Sequence, residues 1–370
     1  MTDKKIAIIH YWFISWRGGE KVVESLLKIY PNADVYTHIL AGKDCVNALK
    51  NHNVHQTFVS RLPWAKKHYQ KYLPIMPLAL EQLDLRKYDV VISSESGPAK
   101  GVLINPNALH ICYCHSPMRY LWDMYQDYRE TAGWFTKKLM PLLTHYLRMW
   151  DQNSANRVDF FIANSDFIRR RINKTYRRDA EVIYPPVAVE DFTFQAEKDD
   201  YYLMLGQLTY YKRADLAVDA FAERPDRRLV VIGEGELLEE LKKRNLPNVE
   251  LMGRQPFSVV KEHLENSKAL IFPGVEDFGI VPVEAMACGT PVIAFGRGGV
   301  LETVKDGVTG VHFSEQTTES LLQAIKDFEE WEPRMERAFL RAHAETFSDK
   351  VFSAKMQEFI EQRWNEDHLH

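Results

Sequence analysis

The stretch from Phe272 to Gly299, FPGVEDFGIVPVEAMACGTPVIAFGRGG, limits the possible folds more than any other part of the chain. It follows Ala269-Leu270-Ile271-Phe272, a short apolar run that reads as a buried strand. Pro282 suits the first turn of a helix, because its φ is already helical and it has no N–H to leave unpaired. The spacing therefore predicts a helix from near Pro282 to near Gly289, packed by Val283, Ala285, Met286 and Ala287. Pro291-Val292-Ile293-Ala294-Phe295 then reads as a second buried strand. Strand, loop, helix and strand in this order are the rhythm of an α/β sheet.

The same stretch has a chemical use. A helix N-terminus offers unpaired N–H groups and the positive end of a dipole, which suits a phosphate. Gly279 lets the backbone come close to a ligand. Glu284, one turn into the helix, can accept hydrogen bonds from a ribose diol. Glu276, in the loop, is placed to touch whatever lies beyond the phosphates. Together these residues describe a nucleotide-sugar site. Taken alone, two glutamates at this spacing fit a capped helix with a polar surface; the whole string EDFGIVPVEAMACGTPV shifts the balance to the site.

The α/β rhythm recurs along the chain. Ile6 to Ile9 is a buried strand of parallel type, and Val22, Val23, Leu26, Leu27 and Tyr30 recur at helical spacing after Gly18-Gly19. Further strands are expected at 34–37, 88–93, 110–114, 160–163, 202–205, 229–232 and 249–253. A helix over 133–150 carries Leu139, Leu142, Leu143, Tyr146, Leu147 and Trp150 as its apolar residues. Tyr184-Pro185-Pro186-Val187 is the best interdomain linker. The G-x-G-x-x-G fingerprint is absent, so NAD binding is not read.

The Glu276-to-Glu284 stretch resembles the E-x7-E motif of the retaining, GT-B-fold glycosyltransferases of family 4. YCHSPMRYLWDMY, beginning at Tyr113, resembles the HxPxRYLWD segment of O-antigen and related mannosyltransferases in that family. The resemblance runs nearly the whole length of the chain. It implies an α/β protein of GT-B type: two Rossmann-like domains facing across a cleft, at 1–186 and 187–346, with a C-terminal helix over 347–370 crossing back to the first. It also implies roles. His115 and Glu276 would contact the donor sugar and Glu284 the ribose. The amides of Phe278, Gly279, Ile280 and Val281 would hold the diphosphate, with Lys212 and Arg213 beside them. Gln207 stands where an arginine is usual. Gly18 and Gly19 would border the donor phosphates, and Gly253 and Arg254 the base. Arg119 and Asp123 would line the acceptor side, or pair with each other.

The implied reaction moves a hexose, expected to be mannose from GDP-mannose, onto a lipid-diphosphate-linked glycan in O-antigen-type synthesis. Two other readings stay open: the same fold with a UDP-hexose or deoxyhexose donor, and a non-catalytic nucleotide-sugar-binding subunit. No cofactor or metal is expected, because no D-x-D motif occurs. Charge is uneven: 26 lysines and arginines face 17 acidic residues through Ala188, and 21 face 34 beyond it. A basic first half suits an anionic partner. The basic and aromatic stretch from Leu62 through Pro77 reads either as a contact with a membrane interface or an anionic acceptor or as a solvated helix face, and the cluster Arg169-Arg170-Arg171 either as a lipid-diphosphate or membrane-lipid contact or as a solvated helix face. No nucleic-acid motif appears. Cys45, Cys112, Cys114 and Cys288 form no metal or redox spacing, and they read as reduced core thiols of a cytoplasmic protein, with a peripheral contact on the inner membrane face.

Overall fold

The computed structural model describes residues 4–367, which form two compact units. The first runs to Tyr184 and takes back the chain from Phe352 onward; the second is Pro185–Val351. Residues 347–351 stay with the second unit. Phe347 meets Phe278 edge to face with ring centroids 5.6 Å apart, and its carbonyl accepts from Val187 N at 3.0 Å.

The first unit holds a seven-stranded parallel sheet. Its strands are β1 (Ile6–His10), β2 (Asp34–Thr37), β3 (Val54–Gln56), β4 (Val90–Glu95), β5 (Leu109–Cys114), β6 (Phe160–Ala163) and β7 (Ala180–Val182). Their spatial order is β3-β2-β1-β4-β5-β6-β7. Strands β1, β4 and β5 are buried throughout, which is why they read as unbroken apolar runs rather than as alternation. Helix α1 (Gly18–Ile29) packs Val22, Val23 and Leu26 on one face of the sheet. Helix α2 (Trp134–Ser154) places Leu147 and Trp150 on the other, and α3 (Asp166–Tyr176) follows β6.

The second unit has a six-stranded parallel sheet. Its strands are β8 (Tyr202–Leu205), β9 (Leu229–Ile232), β10 (Val249–Gly253), β11 (Ala269–Phe272), β12 (Val292–Phe295) and β13 (Gly310–Phe313), in the order β10-β9-β8-β11-β12-β13. Helix α4 (Ala214–Ala222) follows β8, α5 (Ile280–Ala287) follows β11, and α6 (Arg337–Glu345) packs near the end of α5. The last helix, α7 (Asp349–Asp367), sends Phe352, Met356, Phe359 and Ile360 into the core of the first unit. Those four lie on one helical stripe, and burying each side chain contributes roughly 1.5–3 kcal/mol.

Helix α2 falls where a helix is expected. Leu147 and Trp150 are buried, whereas Leu139, Leu142, Leu143 and Tyr146 face solvent. The four cysteines are free and buried. Among the described residues no helix is long and apolar enough to cross a membrane.

Candidate active site

In each sheet the chain reverses its direction of growth once. In the second unit it runs from β8 out to β9 and β10 on one side, and from β11 to β12 and β13 on the other. Loops leaving β8 and β11 therefore part company at the carboxyl edge and leave a crevice, which is where open α/β sheets take ligands. The first loop carries Lys212 and Arg213; the second carries Glu276 and leads into α5.

Lys212 Nζ lies 2.6 Å from Glu276 Oε1, both side chains being partly solvent-accessible. The pair puts a cation and a carboxylate side by side at the crevice. Arg213 does something else. It sits in the left-handed region (φ 56) at the start of α4 and turns its Nε onto Asp215 at 3.1 Å. Thr209, between Gln207 and Lys212, has a buried hydroxyl with no hydrogen-bond partner. Nothing in the sequence pattern singled it out.

Helix α5 begins at Ile280, two residues before the expected start, with Pro282 in its third position. The first turn has no carbonyl one turn back to receive its N–H groups, so a proline there costs no bond. The amides of Gly279, Ile280 and Val281 remain as donors at the end of the dipole. Gly279 opens the helix at φ 89, ψ 74, a conformation that L side chains resist. Phe278 contributes only its backbone, since its ring is buried against Phe347. The Glu276 loop is fixed from behind by Gly299, whose N–H donates to the Glu276 carbonyl at 2.8 Å; a Cβ on Gly299 would stand 2.2 Å from the Asp277 carbonyl oxygen. Glu284 is half-buried in the second turn of the helix.

The far end of α5 is capped by cations. Arg337 Nη1 donates to the Gly289 carbonyl at 3.0 Å, Arg341 Nη1 to the Ala287 carbonyl at 3.1 Å, and Lys198 Nζ to the Cys288 carbonyl at 2.9 Å. Burial pulls the Lys198 ammonium down to about 8. These donors satisfy the carbonyls that a helix C-terminus leaves open and favour the dipole. At the edge of the same sheet, Gly253 ends β10 with φ 67, and exposed Arg254 reaches Glu234 at 3.5 Å.

In the first unit the order reverses between β1 and β4. His10, Ser94 and His115 come from the carboxyl ends of β1, β4 and β5. His10 Nδ1 is 3.1 Å from Ser94 Oγ, and Ser94 Oγ is 2.8 Å from His115 Nε2. Burial, with His10 alongside, lowers His115 to about 3, so its ring is neutral at physiological pH. Gly18 and Gly19 form the first turn of α1 and have ordinary negative φ, so they are not the strained turn that a Gly-Gly pair suggests. A Cβ at Gly19 would crowd the end of the Tyr11 side chain at 3.1 Å and stand in ordinary contact with His115 Nε2 at 3.6 Å.

Arg119 and Asp123 do not pair. Asp123 takes the Arg171 guanidinium, and Arg119 faces Met124 Sδ at 3.9 Å. Arg169 and Arg170 both pair with Asp166, so the triple-arginine cluster is largely matched by carboxylates. Behind His115 lies a group of charges that sequence reading missed. Lys100, fully buried, bridges Glu95 (2.6 Å) and Asp151, and Trp122 Nε1 donates to Asp151 at 2.7 Å. Burial raises the Glu95 carboxyl, with Lys100 opposing. Removing one member of such a group costs about 3–5 kcal/mol. The Glu95 carbonyl accepts from His115 N at 2.8 Å, so the group also anchors the His115 loop. Among the described residues no cluster of His, Cys, Asp or Glu is arranged to hold a metal.

Two parallel-sheet units, each with a crevice at its carboxyl edge, define a GT-B architecture. The model for "Glycosyl transferases group 1" matches residues 190–344 and the model for "Glycosyltransferase Family 4" matches 16–191, between them nearly the whole chain. The chain belongs to the family 4 glycosyltransferases of GT-B fold. It is 27% identical over 304 residues to the Saccharomyces cerevisiae "Alpha-1,3/1,6-mannosyltransferase ALG2", covering 67% of this chain and 58% of that one. It is 27% identical over 196 residues to the Salmonella typhimurium "O-antigen chain mannosyltransferase RfbU", covering 50% and 55%. The chain thus spans little more than half the length of these curated relatives. Anabaena Alr3699/HepE, solved in complex with UDP and glucose, superimposes with a TM-score of 0.71 over 97% of this chain and 99% of that one at 17% identity, a likeness of fold.

Proposed function

We propose that the protein is a retaining hexosyltransferase that moves mannose from GDP-mannose to a glycan carried on a lipid diphosphate, in polysaccharide synthesis of O-antigen type. The observation that carries this reading is the Lys212–Glu276 pair beside the open first turn of α5. Lys212 and the amides of Gly279, Ile280 and Val281 meet the negative charge that grows on the departing diphosphate, where stabilisation lowers the barrier most. Glu284 takes the ribose hydroxyls and Glu276 orients the sugar; in the first unit, neutral His115 offers a ring nitrogen to a sugar hydroxyl. The bond from anomeric carbon to diphosphate oxygen breaks as the acceptor oxygen attacks from the same face, and the acceptor proton passes to the leaving phosphate. Lys212 and the amides supply the positive charge, so no metal is called for.

The two mannosyltransferase relatives favour mannose; GDP as its carrier is part of the proposal. A UDP-hexose donor is the second reading, favoured by the UDP and glucose in the complex of the HepE fold relative. Turnover with a panel of GDP- and UDP-sugars decides between them, and EDTA is expected to leave the rate unchanged. No turnover with any sugar nucleotide would contradict the enzyme reading.

A lipid-borne acceptor calls for contact with an anionic membrane, and α2 supplies the surface. Phe135, Leu139, Leu142, Tyr146 and Met149 recur every three or four residues and are exposed, forming one apolar stripe beside Trp134 (72% exposed). Lys137, Lys138, His145 and Arg148 flank the stripe, and 132–150 contains no acidic residue. An apolar stripe with a basic border is the pattern of a helix lying in the lipid headgroup layer.

A further inference from the structure

Three side chains outside the donor-binding set form a chain that ends on His115. His10 is fully buried. Its Nδ1 lies 3.1 Å from Ser94 Oγ; its Nε2 has no hydrogen-bond partner among the described residues, and Glu20 Oε1 stands 3.7 Å from it. Glu20 is itself buried, and its other oxygen is occupied by the Arg17 N–H at 3.0 Å. Ser94 Oγ in turn lies 2.8 Å from His115 Nε2. Among the described residues no hydrogen-bond partner is found for His115 Nδ1, and it is not one of the buried unpartnered atoms, so it is the ring nitrogen open to a ligand.

A neutral imidazole has one donor and one acceptor nitrogen, and a carboxylate only accepts. If Nε2 of His10 were the bare nitrogen, two acceptors would face each other in a buried site, which is costly. A proton on His10 Nε2 removes the conflict. His10 Nδ1 then accepts from the Ser94 hydroxyl, and the Ser94 oxygen accepts the Nε2–H of His115. We infer that Glu20, His10 and Ser94 are positioning residues that fix His115 as the Nε2–H tautomer, presenting Nδ1 as a hydrogen-bond acceptor for a hydroxyl of the bound sugar. The last clause rests on the proposed glycosyl transfer; the tautomer does not.

The test is long-range proton–nitrogen NMR on protein labelled at histidine, with the His115 signals assigned from a His115→Asn variant. The wild-type protein should show His115 as Nε2–H. Ser94→Ala and Glu20→Gln should each give a mixture of tautomers, and Ser94→Thr, which keeps the hydroxyl, should restore the wild-type pattern. In turnover, Ser94→Ala should lower kcat about tenfold with the donor KM within about twofold, again recovered by Ser94→Thr; about tenfold corresponds to one lost neutral hydrogen bond. A wild-type His115 carrying its proton on Nδ1, or a Ser94→Ala variant with unchanged tautomer and kcat, would overturn the inference. If no sugar nucleotide is turned over while the tautomer pattern holds, the relay stands and the proposed function falls.

Discussion

Lys212 and Glu276 stand 2.6 Å apart, yet the proposed mechanism gives them different tasks, and substitution separates these. Lys212→Ala removes a charge from the diphosphate and is expected to weaken GDP binding at least tenfold and to lower kcat/KM by about 10²–10³. Glu276→Ala frees Lys212 from its carboxylate, so GDP should bind as well as before or better while kcat/KM falls about 10²-fold. Titration calorimetry and initial rates on both variants provide the check; parallel losses of GDP affinity would contradict the division of labour. At this scale the sequence was informative where a motif fixes a residue and silent where the fold brings distant residues together. The strings single out Glu276 and Lys212 separately, and the fold brings them together as a pair. The Glu95–Lys100–Asp151 group could not be read from the sequence, because Asp151 comes from a helix 51 residues beyond Lys100 and no local pattern links them. For Arg213 the structure adds a local partner that its string does not announce: Asp215, two residues on, accepts from its Nε.

Elements were legible in proportion to their burial. The central strands β6, β8 and β11 lie where their apolar runs place them. The edge strands β3 (Val-His-Gln) and β7 (Ala-Glu-Val) were missed, being three residues long, partly exposed and without an apolar run. Helix α2 was read correctly as a helix, but which of its apolar residues are covered was not, because periodicity shows that apolar residues share a face and not what covers it. Phe135→Ser with Leu142→Ser should therefore leave the melting temperature within about 2 °C, since exposed substitutions cost little. The same double variant should lose most binding to vesicles of anionic lipid at low salt in a flotation assay. A large drop in stability would mean that the face is packed. For α5, Gly299→Ala places a methyl against the Asp277 carbonyl and must move the Glu276 loop. The cost is expected to be about 1–3 kcal/mol of stability, by overpacking. Donor KM should rise more than tenfold; an unchanged KM would show that the loop's position is immaterial.

For the whole molecule, the fold class followed from the strand–helix rhythm and the Phe272-to-Gly299 stretch, and the boundary between units fell at the proline-rich segment near Tyr184. What the rhythm could not convey is how the protein responds to acid. Burial lowers His38 to about 3 and His110 to about 4, with His115 at about 3, against about 6.5 in an unfolded chain. Between these values the unfolded chain binds more protons than the folded one, so stability rises with pH across that window. The contribution is whole above about pH 6.5 and is lost as pH falls toward 4, by at most ~1.4 kcal/mol per histidine per pH unit. Thermal melts should show a steep decline from pH 6.5 to 4.5, and a flat profile would contradict it.

The account rests on main-chain amides at the start of α5 gripping a diphosphate, and hydrogen–deuterium exchange reads those amides directly. With GDP-mannose bound, peptides covering 274–288 and 206–213 should exchange several-fold more slowly, with the largest change at Gly279 to Val281. Saturating binding that left those amides unprotected while slowing exchange elsewhere would contradict the claim.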